Sequence, residues 1–183
     1  KIELIKLGEI PYLTLAGQGE PAGQEFLNKL SLIYPLAYGV KKLSKQDGQD
    51  FAVPKLEALW WVEGKKDPRK TPKSKWQWKL LIRMPNFVSK ALVEKAKKQV
   101  TDTKKINVDK IFFETLNEGK CIQIMHLGPY SEEEKTIDIM SSYMNENSLK
   151  ANGHHHEIYL SDPNKTKPEK MKTILRQAVR DKQ

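Results

Sequence analysis

Apolar and polar positions recur along this chain with two periods, and the changes of period mark out its elements. Residues 10–19 (IPYLTLAGQG) set branched and aromatic side chains ahead of a glycine-rich turn and predict a short strand. Phe26, Leu30, Ile33, Ala37 and Val40 then follow at steps of four, three, four and three, so residues 23–42 predict a helix with one buried face. Residues 51–63 (FAVPKLEALWWVE) and 76–84 (WQWKLLIRM) are rich in aromatic and branched side chains, and the loop between them carries Gly64, Pro68 and Pro72. They predict an antiparallel hairpin with a long basic loop. Pro85 ends the second of these strands, and Val88, Leu92, Ala96 and Val100 place a second helix over 87–100. Residues 110–118 (KIFFETLNE) and 120–127 (KCIQIMHL) flank Glu118-Gly119, a tight-turn signal, and predict two strands. Gly128-Pro129 closes the second, and Ile137, Met140 and Met144 line a third helix over 132–147. A strand follows at 154–161 (HHHEIYLS), closed by Asp162-Pro163. In the tail, Met171, Ile174, Leu175 and Ala178 fit a helical period better than strand alternation.

Each half of this order contains a strand–helix–strand unit with further strands. The reading is an α+β fold of pseudo-duplicated βαββ units, forming an antiparallel sheet with helices on one face and a central ligand cleft on the other. A single domain spans 1–183, with approximate halves 10–86 and 87–183. At 38% hydrophobic and 30% charged residues the chain can bury a core under a hydrated surface, and no apolar run is long enough to span a membrane. The opening KIELIKLGEI lacks a signal-type apolar core, and the single cysteine, Cys121, reads as a buried structural thiol. A cytoplasmic location follows as the expectation, with no membrane partner and no cofactor.

A net charge of +9 requires a test for nucleic-acid binding. The cations cluster in KKLSKQDGQD (41–50) and EGKKDPRKTPKSK (63–75), which read as solvated loops. Neither zinc-finger spacing, an RNP-type aromatic motif nor a helix-turn-helix is present, so no specific nucleic-acid partner is expected. Weak attraction to polyanions, fading with salt, remains open.

Candidate chemistry centres on the strand 154–160. Alternation puts His155, Glu157 and Tyr159 on one face and His154, His156, Ile158 and Leu160 on the other. A carboxylate in the middle of a central strand is costly without partners or a ligand, and if dry its pKa rises. The three histidines point to opposite faces, so a His-only metal site needs outside ligands, and no metal is assigned. Four tryptophans, Trp60, Trp61, Trp76 and Trp78, fall within 19 residues. They suffice for a core plus an aromatic-walled slot, and indoles stack well on planar ligands. Glu57 shares a face with Trp61. His126 and Tyr130 bracket the Leu127-Gly128-Pro129 turn, which can hold the Tyr130 hydroxyl over a sheet face as a donor.

At these residues the chain resembles the GyrI-like small-molecule-binding family, which also supplies the ligand domain of multidrug-responsive transcription activators. The resemblance runs over roughly residues 10–180, through PKLEALWW (54–61), WQWKLLIRMPNFV (76–88), EGKCIQIMHLGPYSEE (118–133), HHEIYLSDP (155–163) and KTILRQAV (172–179). It implies tandem strand–helix–strand–strand units around a ligand cleft, and it makes 172–179 a strand, which overrides the period reading. It implies that Glu157 is the buried carboxylate and that Glu57, Trp61 and Tyr130 map toward the cleft. Trp60, Trp78, His155, Tyr159, Phe113 and Tyr12 complete the expected ligand-binding set. The short flanks read as a stand-alone member rather than a complete regulator. Other stand-alone members resemble hydrolases of cyclopropane-bearing DNA alkylators. In that chemistry Tyr130 polarises a dienone carbonyl and Glu157 or Glu57 handles water. The expected partner is a planar aromatic small molecule. The rival readings are a non-catalytic binder or sensor of aromatic, often cationic, compounds and an interaction module acting on gyrase.

Overall fold

The computed structural model describes residues 1–64 and 66–182. In chain order the elements are β1 (Glu3–Gln18), α1 (Gln24–Gln46), β2 (Glu57–Trp61), β3 (Gln77–Arg83), α2 (Lys90–Lys104), β4 (Phe112–Leu127), α3 (Glu133–Glu146), β5 (Leu149–Tyr159) and β6 (Lys172–Asp181). The fold is therefore mixed α/β, with six strands and three helices among the described residues. It divides into two compact units, each discontinuous in sequence. One gathers 1–9, 55–60 and the chain from Asn117 onward; the other holds 10–54 and 61–116.

In the first unit the strands run β2-β5-β6-β4, every neighbour antiparallel. The register sets rows across the sheet: Glu157 faces Leu175, which faces Ile124, and Tyr159 faces Thr173, which faces His126. Ile122, Ile124, Leu175 and Val179 from one sheet face pack with Met140 of α3 and with Leu149, and Ile137, Tyr143 and Met144 close over them. Glu157 and Tyr159 thus lie on the face that α3 covers, which corrects the expectation of a cleft on the face opposite the helices.

The second unit pairs β1 with β3 and packs α1 against α2. Phe26, Ile33, Leu36, Ala37, Val40 and Leu43 form the buried stripe of α1. Ser89 sets the start of α2: its hydroxyl accepts a hydrogen bond from Leu92 N at 3.1 Å, a standard N-cap. Gly17 sits opposite Trp78 in the β1–β3 ladder. The indole lies across the bare glycine, where an added Cβ would come within 2.2 Å of Trp78 Cη2.

Two local expectations are corrected. The strands expected at 110–118 and 120–127 are one continuous strand, β4. Gly119 adopts φ 63° within it, an irregularity that the strand passes through instead of reversing. The helical period of the tail gives way to strand β6, because pairing with both β5 and β4 satisfies its backbone and buries Thr173, Leu175, Gln177 and Val179 on one face. That strand is the state which the family resemblance implied.

Candidate functional site

Glu157 lies near the C-terminal end of β5, with its side chain 13% exposed. The Tyr159 hydroxyl donates to Glu157 Oε2 at 2.7 Å, and Trp60 Nε1 donates to the Tyr159 oxygen at 3.0 Å. His155 Nε2 lies 3.3 Å from Glu157 Oε1 without making an aligned hydrogen bond. Tyr130 meets the Tyr159 ring edge-on, with centroids 5.7 Å apart. The unit therefore brings together five expected site residues: Glu157, Tyr130, Tyr159, Trp60 and His155.

It adds one that sequence reasoning missed. Glu133, in the first turn of α3, is 7% exposed and turns its carboxyl toward Glu157. Burial, then the Glu157 charge and a hydrogen bond to Glu157, push the Glu133 pKa up to about 9. Thr173 pulls in the other direction, yet neither Thr173 Oγ1 nor Glu133 Oε1 completes a regular hydrogen bond. Three buried polar atoms around Glu157, on Glu133, Thr173 and His155, are thus unsatisfied within the protein, an arrangement suited to a water or a polar ligand group. Burial also raises the Tyr130 phenol to about 12, helped by Glu133, Glu157 and Asp162, and holds Tyr159 well above its ordinary value. Both phenols remain donors at neutral pH.

The mounting of Tyr130 and Glu133 runs through His126, which is 4% exposed. Its Nε2 donates to Pro129 O at 3.1 Å, and its Nδ1 pairs with the Thr136 hydroxyl at 2.8 Å. One imidazole thereby ties the end of β4 to both the turn and the first turns of α3. The legible signal for Glu133 was its place in the motif HLGPYSEE, four residues after Pro129.

Glu57 lies elsewhere. It pairs in register with Ile158, which puts it on the sheet face opposite Glu157. There His156, fully buried, presents Nε2 to Glu57 at 2.8 Å and Nδ1 to Glu118 at 3.0 Å. Arg176 Nη1 donates to Glu118 at 3.3 Å, and its Nε and Nη2 donate to Gln123. Each of the four strands contributes one charged member. Burial disfavours the imidazolium, but the bonds and charges of Glu118 and Glu57 outweigh it and raise the His156 pKa. Burial likewise opposes ionisation of Glu118, and His156 and Arg176 reverse that, holding its carboxyl below the usual range. Cys121 is buried with its thiol pushed to about 11, first by burial and then by Glu118, as suits an inert structural cysteine.

The remaining expected residues belong to the second unit. Trp78 is fully buried, packed on Gly17 and edge-on to Phe26 at 5.2 Å. Tyr12 is likewise buried, whereas Trp61 and Phe113 are half-buried. A cavity of about 460 Å³ in this unit is lined by Pro54, Arg83, Met84, Pro85, Asn86 and Phe87, and contains none of the carboxylates above. No cluster of potential metal ligands occurs among the described residues.

The GyrI-like small molecule binding domain matches residues 1–177. The chain belongs to this family. A hydrolase from Listeria innocua is 38% identical and superposes with a TM-score of 0.88, covering 98% of this chain and 92% of that one. The C-terminal domain of EcmrR has the same fold at 12% identity, TM-score 0.63, covering 99% and 98%. SAV2435, solved bound to tetraphenylphosphonium, is 12% identical with a TM-score of 0.50, covering 98% and 94%. No curated protein matches the sequence. Among the described residues no helix is long and apolar enough to cross a membrane.

Proposed function

We propose that this GyrI-like protein binds a flat aromatic xenobiotic against Glu157 and detoxifies it, in the cytoplasm, by hydrolytic opening of a cyclopropane ring. The observation that carries the reading is a carboxylate only 13% exposed among Trp60, Tyr159 and Tyr130, with unsatisfied polar atoms on His155, Glu133 and Thr173 in the same unit. The 38% identity to a hydrolase supports catalysis over binding alone. In this reading the aromatic rings hold the planar substrate. The Tyr130 hydroxyl hydrogen-bonds the dienone oxygen where negative charge develops. Glu157 takes a proton from the attacking water. Glu57 has no part in it, because it is engaged with His156 on the other sheet face. The element order reads as two βαββ runs joined by α2, in keeping with a duplicated domain over 1–183.

Incubation with a cyclopropane-bearing drug, followed by mass spectrometry, tests the proposal. The expected product is the substrate plus one water, formed over many turnovers. Stoichiometric capture without product returns the protein to the class of non-catalytic binders, the role that the family's small-molecule-binding description already covers.

A further inference from the structure

We propose that Glu133 and Glu157 work as a dyad sharing one proton, with Glu133 the proton donor and Glu157 the proton acceptor of the hydrolysis. The inference rests on the hydrolytic reading above and assigns a role to a residue outside it. Two carboxyl groups joined by a hydrogen bond in a site this little exposed cannot both be ionised without a large cost, so the pair holds a proton near neutral pH. The surroundings decide which member holds it. Glu157 already accepts the Tyr159 hydroxyl at 2.7 Å and has His155 Nε2 3.3 Å from its other oxygen. Glu133 is 7% exposed, and its Oε1 has no hydrogen-bond partner. The titratable groups gathered around the pair are Tyr130 just before α3, Tyr159 and His155 on β5, and Asp162 beyond it. His126 on β4 is committed to Thr136 and Pro129.

The reaction needs such a donor. When water attacks a cyclopropane carbon, a C–O bond forms and the strained C–C bond breaks. Its electron pair passes through the conjugated ring to the dienone oxygen. That oxygen takes the Glu133 proton, and the proton lost by water goes to Glu157. One water is added, and nothing is oxidised or reduced. Tyr130 can hold the oxygen, but with a pKa near 12 it is a poor proton source. The step leaves the shared proton on Glu157, and transfer between the two touching carboxyls restores the starting state.

Infrared spectroscopy of the substrate-free protein provides a test independent of turnover. A protonated-carboxyl stretch is expected at neutral pH, vanishing as pH rises through about 9, and absent in Glu133→Gln. Its absence from the wild type, or its persistence in that variant, overturns the shared proton. With a cyclopropane substrate, Glu133→Gln is expected to lower kcat by about 10²-fold with little change in KM, and to lose the alkaline limb of the pH–rate profile. Wild-type kcat with that limb intact overturns the donor role. If wild type itself does not turn over, the hydrolytic reading and the donor role both fall, and the infrared band still decides the shared proton. Should Glu133→Gln fail to fold, the wild-type band and Glu133→Asp kinetics carry the same decisions.

Discussion

Burying a carboxylate costs several kcal/mol unless partners or a proton offset it, and this chain uses both remedies on opposite faces of one strand. Glu157 and His156 are sequence neighbours, yet alternation sends the first to the face under α3 and the second into a charge network with Glu57, Glu118 and Arg176. Glu157→Gln is expected to keep the fold, seen by circular dichroism, while steady-state kinetics fall by about 10²–10⁴. Glu133 gives a pH signature with a definite sign. Between the ordinary carboxyl value of 4.5 and about 9 the folded chain keeps a proton that the unfolded chain has lost. Stability therefore falls as pH rises across that window. Thermal melts of Glu133→Gln should lie above wild type, by a margin that widens with pH inside it. Of this chemistry the sequence showed Glu157 and its phenol neighbour, because strand alternation is local. It did not show Glu133, because nothing local to a helix first turn says which strand residue it will meet.

At the scale of elements, the charge network fastens four strands, β2 to β5 through Glu57–His156, and β5 to β4 and β6 through Glu118 and Arg176. Both ring nitrogens of His156 face carboxylates, so the network needs the imidazolium. Its contribution is complete below about 6.5, the ordinary histidine value, and is lost as pH climbs through the raised folded value. His156→Gln is expected to cost about 3–5 kcal/mol in denaturant titrations at neutral pH, since it strands buried carboxylates. A loss under 1 kcal/mol would show the network to be energetically idle. In the other unit, Gly17→Ala drives a methyl into the Trp78 ring. Chemical denaturation should register about 1–3 kcal/mol of overpacking. Glu118-Gly119 illustrates the limit of turn signals: a glycine at positive φ suits a reversal or a strand irregularity equally, and only the partner strand decides. The tail illustrates the limit of periodicity, since the apolar spacing of 171–178 fits a helix until two neighbouring strands supply its hydrogen bonds.

For the whole molecule, charge is distributed as unevenly as chemistry. The unit built from 10–54 and 61–116 holds 19 of the 32 Lys and Arg but only 10 of the 23 Asp and Glu, so it carries the entire +9 and the other unit is neutral. Much of that excess lies in 63–75, whose described residues are mostly exposed; Lys65 lies outside the described residues. Fluorescence anisotropy should find weak, sequence-independent binding to duplex DNA at low salt that disappears near physiological ionic strength. Binding that survives salt or prefers one sequence would contradict the reading of these cations as solvated loops. The chain by itself determined its three helices, its apolar stripes, the face assignment within β5 and its family, because each follows from periods and motifs that span few residues. Tertiary structure decided that β4 runs unbroken, that Trp78 packs on Gly17, that Glu57 serves His156, and that Glu133 meets Glu157. Those outcomes depend on pairings between residues 24 to 99 positions apart, which only the assembled sheet brings within hydrogen-bonding range.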